Sequence, residues 1–545
     1  MPDTASTPFQ LTRKITQLSG FAARVRGEAP SPSDCGFALL SALLLIISFP
    51  DFNLWPLAWL ALVPILRVIV KRPHPLSCFC LGWLFGSVFF FGSCYWLTYS
   101  IIHFGGISPW LAYPMLIPGA LALGLFPGAF AAVLAQAIRR WGTAAVFLAP
   151  LFWAPLEWAR LGVTGQLWNA VGYSQAFHPQ LIHTARWGGV YAVGFLIILA
   201  NAAIAYAVAK RTRNAAATAV VVIVIFCAGP MAIPDLQGYP DSSTAAVVIA
   251  IQPNVPMDLI KSNAELLELR QRHFEMSEAA LRELPDNETP RLVIWPESPM
   301  NFTYGTDSPF RERLSQFARE HRTSILLNSQ ELAPNDGIYN SAMLINEQGS
   351  LIAQYDKIRL LPFGEYVPLP QWLPGAGLIR GIVGDFTPGA NYRLMPVGNV
   401  RAGIFICIES AYPSIAREFT REGADVLINI SNDGYLGPTA VMRQHLANAV
   451  FRAVENNRPL LRVTNTGITA DITPGGRIID ETQPFQPEVR TWTITRMSSP
   501  PSFYARHGDL FAAACALLSV IALLLSFRNR ALGRSIGLGI VNLEA

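Results

Sequence analysis

Long apolar runs fill the first half of the chain and return near its end. Residues 73–138 contain no Lys, Arg, Asp or Glu, which leaves room for two membrane-spanning helices of about 20 residues each. The complete pattern predicts about eight spans, near residues 36–50, 54–70, 77–100, 110–137, 143–159, 187–209, 215–233 and 509–527. A multi-span helical membrane domain is therefore expected.

The pattern changes between residues 240 and 500, where short apolar runs alternate with amphipathic segments. The predicted strands are Ala245–Gln252, Arg291–Trp295, Ser324–Asn328, Leu351–Lys357, Arg401–Cys407, Asp425–Ser431 and Leu460–Asn465. The helical period appears at residues 264–283, 308–321, 412–422 and 438–456. This alternation is typical of a mixed α/β domain of ordinary size.

Composition supports the membrane assignment. The 545 residues are 51% hydrophobic and only 14% charged, whereas soluble domains carry about 25% charged residues. The net charge of +4 gives no argument for a nucleic-acid partner.

The basic residues lie on alternate connections between the predicted spans. Lys71-Arg72, Arg139-Arg140, Lys210–Arg213 and Arg528 mark one side, and the positive-inside rule places that side and both termini in the cytoplasm. We thus expect a polar cytoplasmic lead (1–35), transmembrane helices one to seven (36–239), an extracytoplasmic α/β domain (240–500), and a last transmembrane helix with a basic tail (501–545).

Cys407 is the one cysteine among seven that falls in the predicted extracytoplasmic domain. It ends an apolar strand, where a thiol at the edge of a sheet can serve as a nucleophile. The alternative is a small buried packing residue. A structural thiol outside the cytoplasm is normally paired, and Cys407 has no partner in that domain, which favours the nucleophile. No zinc-ligand spacing is present, so no metal or other cofactor is expected.

Two other predicted strands end in ionisable residues. Glu297 follows Val293-Ile-Trp-Pro, and Lys357 ends Tyr355-Asp-Lys357. Taken alone, Glu297 could cap a helix and Lys357 could be solvated. Parallel strands would bring both residues to the sheet edge that carries Cys407. Glu297 would then take the thiol proton while Lys357 stabilises the oxyanion.

These stretches resemble the nitrilase superfamily of carbon–nitrogen hydrolases, whose Glu-Lys-Cys triads lie on an αββα sandwich. Together with the flanking spans, the chain is similar to the apolipoprotein N-acyltransferase family, the membrane-embedded branch of that superfamily. The motifs are Trp295-Pro-Glu297-Ser, Tyr355-Asp-Lys357, Pro362-Phe-Gly-Glu365-Tyr-Val-Pro368 and Cys407-Ile-Glu409.

The resemblance implies a role for each residue. Glu297 is the general base, Lys357 the oxyanion and thiolate partner, and Cys407 the acylated nucleophile. Glu365 and Glu409 support catalysis. Ile408 stands where the family usually has a tyrosine.

The resemblance also implies a reaction and its partners. A fatty acyl group passes from a membrane phospholipid, through a cysteine thioester, to the N-terminal α-amine of an S-diacylglyceryl-cysteine apolipoprotein. The expected location is the bacterial inner membrane, with the catalytic domain periplasmic and the protein monomeric. A membrane-anchored nitrilase-type amidase acting on small amides is the first alternative. A transporter or scaffold with a degenerate domain is the second.

A further expectation concerns residues 366–383, an apolar stretch interrupted by prolines and glycines. Such a stretch forms neither a long helix nor a regular strand. It is predicted to be a lid at the membrane surface, with an ordinary buried loop as the alternative.

Overall fold

The fold is taken from a computed structural model of the full chain. It describes residues 29–50, 52–165, 167–228, 240–258, 261–334, 337–367, 386–497 and 499–528. The proposed lid (beyond Val367), most of the N-terminal lead and most of the C-terminal tail lie outside these ranges.

Helices dominate the described part before residue 229 and after residue 499. They are α1 (Pro32–Ser48), α2 (Val63–Lys71), α3 (Pro75–Ser93), α4 (Leu97–His103), α5 (Pro109–Met115), α6 (Ile117–Trp141), α7 (Ala149–Thr164), α8 (Pro179–Ile182), α9 (Ala185–Lys210), α10 (Arg213–Val222), α15 (Phe503–His507) and α16 (Leu510–Phe527). Four α-helices of the central domain take the intervening labels: α11 (Asn263–Arg282), α12 (Ser308–Glu320), α13 (Pro413–Arg421) and α14 (Val441–Asn456).

Several of the predicted spans are long apolar helices. By length and composition, four helical stretches among the described residues can cross a membrane: Pro75–Ser93, Pro109–Trp141, Ala185–Lys210 and Leu510–Phe527. Two shorter apolar helices, Pro32–Ser48 and Arg213–Ile225, match further predicted spans. The segment predicted at 54–70 is not one helix. A 3₁₀ turn at Trp55–Trp59 precedes α2, and each begins with a proline in its first turn.

The strands of the central domain form two sheets. They are β1 (Pro240–Gln252), β2 (Arg291–Ile294), β3 (Ser324–Leu332), β4 (Ile338–Ile345), β5 (Leu351–Asp356), β6 (Leu394–Val397), β7 (Val400–Ile406), β8 (Val426–Ser431), β9 (Leu460–Thr464), β10 (Ala470–Ile472), β11 (Ile478–Glu481) and β12 (Glu488–Met497). The sheet orders are β12-β1-β2-β3-β4-β5 and β11-β10-β9-β8-β7-β6.

Alternating side chains assign the two faces of each strand, because successive residues of a strand point to opposite faces. On β2, Leu292 and Ile294 join the apolar core that also contains Ile404 and Ile428 of the second sheet. Val293, between them, joins a separate core with residues of α11 and α12. Helices α13 and α14 cover the second sheet. The expected αββα sandwich, preceded by a helical domain, is confirmed.

The helical domain packs directly against α14 and the turn that follows β7. The side chain of Gln444 on α14 accepts hydrogen bonds from the indole N–H groups of Trp96 (3.0 Å) and Trp168 (2.9 Å), and it donates to the carbonyl of Ser93 (3.1 Å). The backbone N–H of Leu167 donates to the carbonyl of Ala411. Buried polar groups with this many partners fix one packing arrangement, so the helical domain sets the position of α14.

The first and last strands of the sandwich are neighbours. Strand β1 pairs antiparallel with β12, from Pro240 opposite Met497 to Gln252 opposite Glu488. The chain therefore enters the sandwich along β1 and leaves it along the neighbouring β12.

Candidate active site

The three residues predicted to carry the chemistry come from two sheets. Glu297 follows β2 and Lys357 follows β5, both in the first sheet, whereas Cys407 follows β7 in the second. The expectation of one shared sheet edge is therefore wrong. β2 and β5 run in the same direction because two antiparallel steps separate β3 from β5. The carboxylate and the ammonium thus share an edge, and the thiol reaches them from the facing sheet.

Lys357 is the centre of charge in the site. Its Nζ lies 2.8 Å from Glu365 Oε1 and 3.6 Å from Glu297 Oε1, and its side chain is only 1% exposed. Burial alone would lower the pKa of Lys357, but the charges of Glu365 and Glu297 raise it well above its ordinary value. A fixed ammonium is the consequence.

Asn340 on β4 orients both carboxylates. Its Nδ2 donates to Glu297 Oε1 at 2.9 Å and to Glu365 Oε1 at 2.7 Å. The second oxygens are also held, Glu297 Oε2 by the backbone N–H of Asn432 (3.1 Å) and Glu365 Oε2 by that of Leu361 (2.7 Å). No sequence motif had indicated Asn340. The predicted residues Glu297 and Glu365 thus share one amide.

Cys407 has an unusual backbone. Its φ angle is +52°, a left-handed conformation that disfavours any residue with a Cβ. Burial and the charge of Glu297 raise the pKa of the thiol far above its ordinary value, against the opposite effect of Lys357. A thiol with a raised pKa is a weaker nucleophile unless a nearby base takes its proton.

Glu409, two residues after the cysteine, is fully buried. One oxygen accepts from the backbone N–H groups of Ile358 (2.8 Å) and Arg359 (3.0 Å), and the other from that of Ile406 (2.8 Å). The hydroxyl of Tyr355 donates to the same carboxylate. Burial raises the pKa of Glu409 to about 6 against the effect of these donors. Glu409 thus ties the turn after Cys407 to the loop after Lys357.

A second polar cluster, which the sequence did not reveal, lies behind Cys407. The imidazole of His445 contacts Asp433 Oδ1 through Nδ1 (2.7 Å) and the carbonyl oxygen of Cys407 through Nε2 (3.1 Å). Arg462 pairs with the other oxygen of Asp433 at 2.7 Å. Burial would raise the pKa of Asp433, but Arg462 and His445 hold it well below its ordinary value. A weak signal did exist: Asp433 follows β8, the parallel neighbour of β7.

The arrangement suits nucleophilic acyl transfer. A carboxylate, an ammonium and a thiol converge in a largely buried site, where charge interactions are stronger than in water. Among the described residues no group of three or more His, Cys, Asp or Glu side chains could hold a metal ion.

Both parts of the chain match protein families. Residues 41–203 match the apolipoprotein N-acyltransferase N-terminal domain, and residues 245–499 match the carbon–nitrogen hydrolase family. Among solved structures, a Saccharomyces cerevisiae member of branch 10 of the nitrilase superfamily aligns at 22% identity with a TM-score of 0.37, covering 46% of this chain and 91% of that one.

Full-length relatives extend the match over nearly the whole chain. The apolipoprotein N-acyltransferase of Geobacter metallireducens is 33% identical over 91% of this chain and 95% of its own length. That of Pseudomonas putida is 28% identical over 89% of this chain and 96% of its own.

Proposed function

This chain belongs to the apolipoprotein N-acyltransferase family, and from that premise we propose that it matures lipoproteins through an acyl-enzyme on Cys407. The acyl donor is a membrane phospholipid. The acceptor is the N-terminal α-amine of an S-diacylglyceryl-cysteine apolipoprotein. The observation that carries the proposal is the juxtaposition of the Lys357 ammonium with the carboxylates of Glu297 and Glu365 beside a thiol whose pKa these charges shift.

The first half-reaction forms the thioester. Glu297 takes the proton of the Cys407 thiol as the sulfur attacks the ester carbonyl carbon of the phospholipid. Lys357 stabilises the negative charge that develops on the carbonyl oxygen. The carbon–oxygen ester bond then breaks, the leaving alkoxide takes the proton from Glu297, and a lysophospholipid departs.

The second half-reaction repeats these roles, with the amine as the attacking group and the thiolate as the leaving group. The lipoprotein amine attacks the thioester carbonyl and loses a proton to Glu297, and Lys357 again stabilises the oxyanion. The carbon–sulfur bond breaks, an amide remains on the lipoprotein, and the thiolate regains a proton from Glu297. No oxidant, reductant or cofactor is needed to balance either step.

The positive-inside pattern supports an inner-membrane orientation with cytoplasmic termini and a periplasmic sandwich domain. One chain contributes every group of the site, which supports a monomer as the working unit.

Intact-mass measurement of the purified protein in phospholipid vesicles tests the proposal. We expect a mass increase of one acyl chain that hydroxylamine removes, and its loss with transfer of the acyl group when a diacylglyceryl-cysteine peptide is added. Cys407→Ala abolishes both signals, while Cys80→Ala, at an exposed cysteine of α3, leaves both unchanged. Transfer by Cys407→Ala would refute the acyl-enzyme, and hydrolysis of small soluble amides without lipid transfer would favour an amidase.

A further inference from the structure

The backbone carbonyl of Cys407 is held by two buried side chains. His445 Nε2 lies 3.1 Å from this oxygen, and Asn429 Nδ2 donates to it at 3.4 Å. His445 is 3% exposed and Asn429 is fully buried. A carbonyl oxygen only accepts hydrogen bonds, so a hydrogen bond here requires a proton on Nε2 of the imidazole, and the 2.7 Å contact of Nδ1 with the carboxylate of Asp433, which also only accepts, requires one on Nδ1.

The imidazole is itself held from behind. Asp433 Oδ1 lies 2.7 Å from Nδ1 of His445, and the hydroxyl of Ser431 donates to the same oxygen at 3.1 Å. Arg462 donates to Asp433 Oδ2 at 2.7 Å and also donates to the side-chain oxygen of Asn429. The cluster therefore closes on itself, with both contacts to the Cys407 carbonyl connected through Arg462.

We propose that Asp433 and His445 are positioning residues for the nucleophile. The imidazole fixes the Cys407 carbonyl, and this fixes the left-handed backbone conformation from which the thiol meets Glu297 and Lys357. Asp433 fixes the rotation of the ring. Neither side chain exchanges a proton with substrate in this role, and the proposal rests on Cys407 being the acylated residue.

The backbone of Cys407 explains why such support is needed. A non-glycine residue at a φ of +52° persists only where its surroundings over-determine it. Releasing the carbonyl would let the turn relax toward an ordinary conformation and would displace the sulfur. A displacement of about 1 Å can slow a reaction by about a hundredfold.

The helical domain completes the support. The ring of Trp168 packs against that of His445, with ring centroids 5.5 Å apart, and Trp168 also donates to Gln444, the preceding residue on α14. The packing of the helical domain against the sandwich domain therefore helps to set the position of the imidazole that holds the Cys407 carbonyl.

Two variants of similar size separate positioning from stability. His445→Gln keeps an N–H donor that can reach the Cys407 carbonyl, whereas His445→Met fills comparable space without a donor. Asp433→Asn tests the orientation of the ring. Val450→Ala, a fully buried truncation on the same helix, serves as the control for general destabilisation.

Each protein is assayed in full-length form in phospholipid vesicles by three measurements. These are the rate of acyl-thioester formation, the rate of Cys407 alkylation by iodoacetamide, and the melting temperature. We expect His445→Met and Asp433→Asn to slow both reactions by about tenfold to a hundredfold, with His445→Gln recovering much of the loss. Val450→Ala lowers the melting temperature and leaves both rates near those of the wild type.

The positioning role is refuted if His445→Met reacts at the wild-type rate. It is also refuted if Val450→Ala lowers the melting temperature as much as His445→Met does and slows both reactions to the same extent. Alkylation needs no lipid. Suppose that the wild type is not acylated, while alkylation is still slow in His445→Met and restored in His445→Gln. That result would overturn the proposed function and retain the positioning role of Asp433 and His445.

Discussion

Lys357 makes its short ion pair with Glu365, at 2.8 Å between Nζ and Oε1. Both side chains are buried, so neither charge is satisfied by water and each depends on the other. Glu365 thus holds the ammonium, and in the proposed mechanism the more distant Glu297 is the group that exchanges a proton with the thiol.

Glu365→Gln should therefore impair chemistry more than folding. The substitution removes the charge nearest to Lys357, and the ammonium is then expected to move toward Glu297 and compete for the base. We expect acyl-thioester formation to slow by about a hundredfold or more, measured as the single-turnover rate by mass spectrometry. Glu347→Gln, at an exposed turn, is the control. A normal rate for Glu365→Gln would assign the orientation of Lys357 to other groups.

The paired strands β10 and β11 place Asp471 directly opposite Asp480. Burial, with a contribution from Asp480, raises the pKa of Asp471 to about 6 from an ordinary value of 3.8. A carboxyl whose pKa is raised in the folded state favours folding while it is protonated. Its contribution to the free energy of unfolding is complete below about pH 4 and is lost as the pH rises through about 6.

Asp471→Asn should consequently stabilise the protein above pH 6, by up to about 2 kcal/mol, and make little difference at pH 4. The melting temperatures of wild type and variant, compared between pH 4 and 7, measure this effect. Asp286→Asn, an exposed carboxyl, should give parallel curves. A constant offset between wild type and Asp471→Asn at all pH values would contradict the titration.

Gly437 lies in the loop after β8, against the ring of Tyr99 on α4. Its φ is +64°, and a Cβ there would come within 2.2 Å of the ring. Gly106 has the same φ with open space around it. Gly437→Ala should thus cost about 1–3 kcal/mol more than Gly106→Ala, seen as a lower melting temperature. Tyr99→Leu should relieve much of that cost, and equal effects of the two glycine substitutions would show that α4 does not press on this loop.

The proposed orientation predicts which sites an impermeant thiol reagent reaches. In a Cys80→Ser, Cys407→Ala background, Glu275→Cys on the exposed surface of α11 should be labelled in spheroplasts. Arg213→Cys, at the start of α10 (Arg213–Val222), should be labelled only after permeabilisation. The reverse result would place the sandwich in the cytoplasm and remove its access to exported lipoproteins.

Local patterning was sufficient to predict the strand ends at which Glu297, Lys357 and Cys407 stand. The predicted strand Arg401–Cys407 is observed as Val400–Ile406, because an apolar β-branched run followed by polar residues marks the end of a buried strand. Glu365 and Glu409 were predicted from the resemblance of their motifs. Glu365 contacts Lys357, 8 residues before it, and Glu409 contacts the backbone of Ile358, 51 residues before it.

Tertiary pairing could not be predicted from the same patterns. Strand spacing does not reveal that Cys407 belongs to a different sheet from Lys357. Asn340 lies on β4, a strand with no predicted counterpart, and it bridges carboxylates 43 and 25 residues away. The helical period of 438–456 predicts that α14 has a buried face, but it does not predict which group His445 meets.

The pairing of β1 with β12 has a consequence for how the protein is made. Residues 241–496 lie between the partners Pro240 and Met497, so one edge of β1 stays open until nearly the whole chain has been synthesised. An open strand edge invites pairing with other chains, and contacts so distant in sequence form slowly. A chain truncated before Glu488 would keep Glu297, Lys357 and Cys407 and still expose that edge to aggregation and quality-control proteolysis.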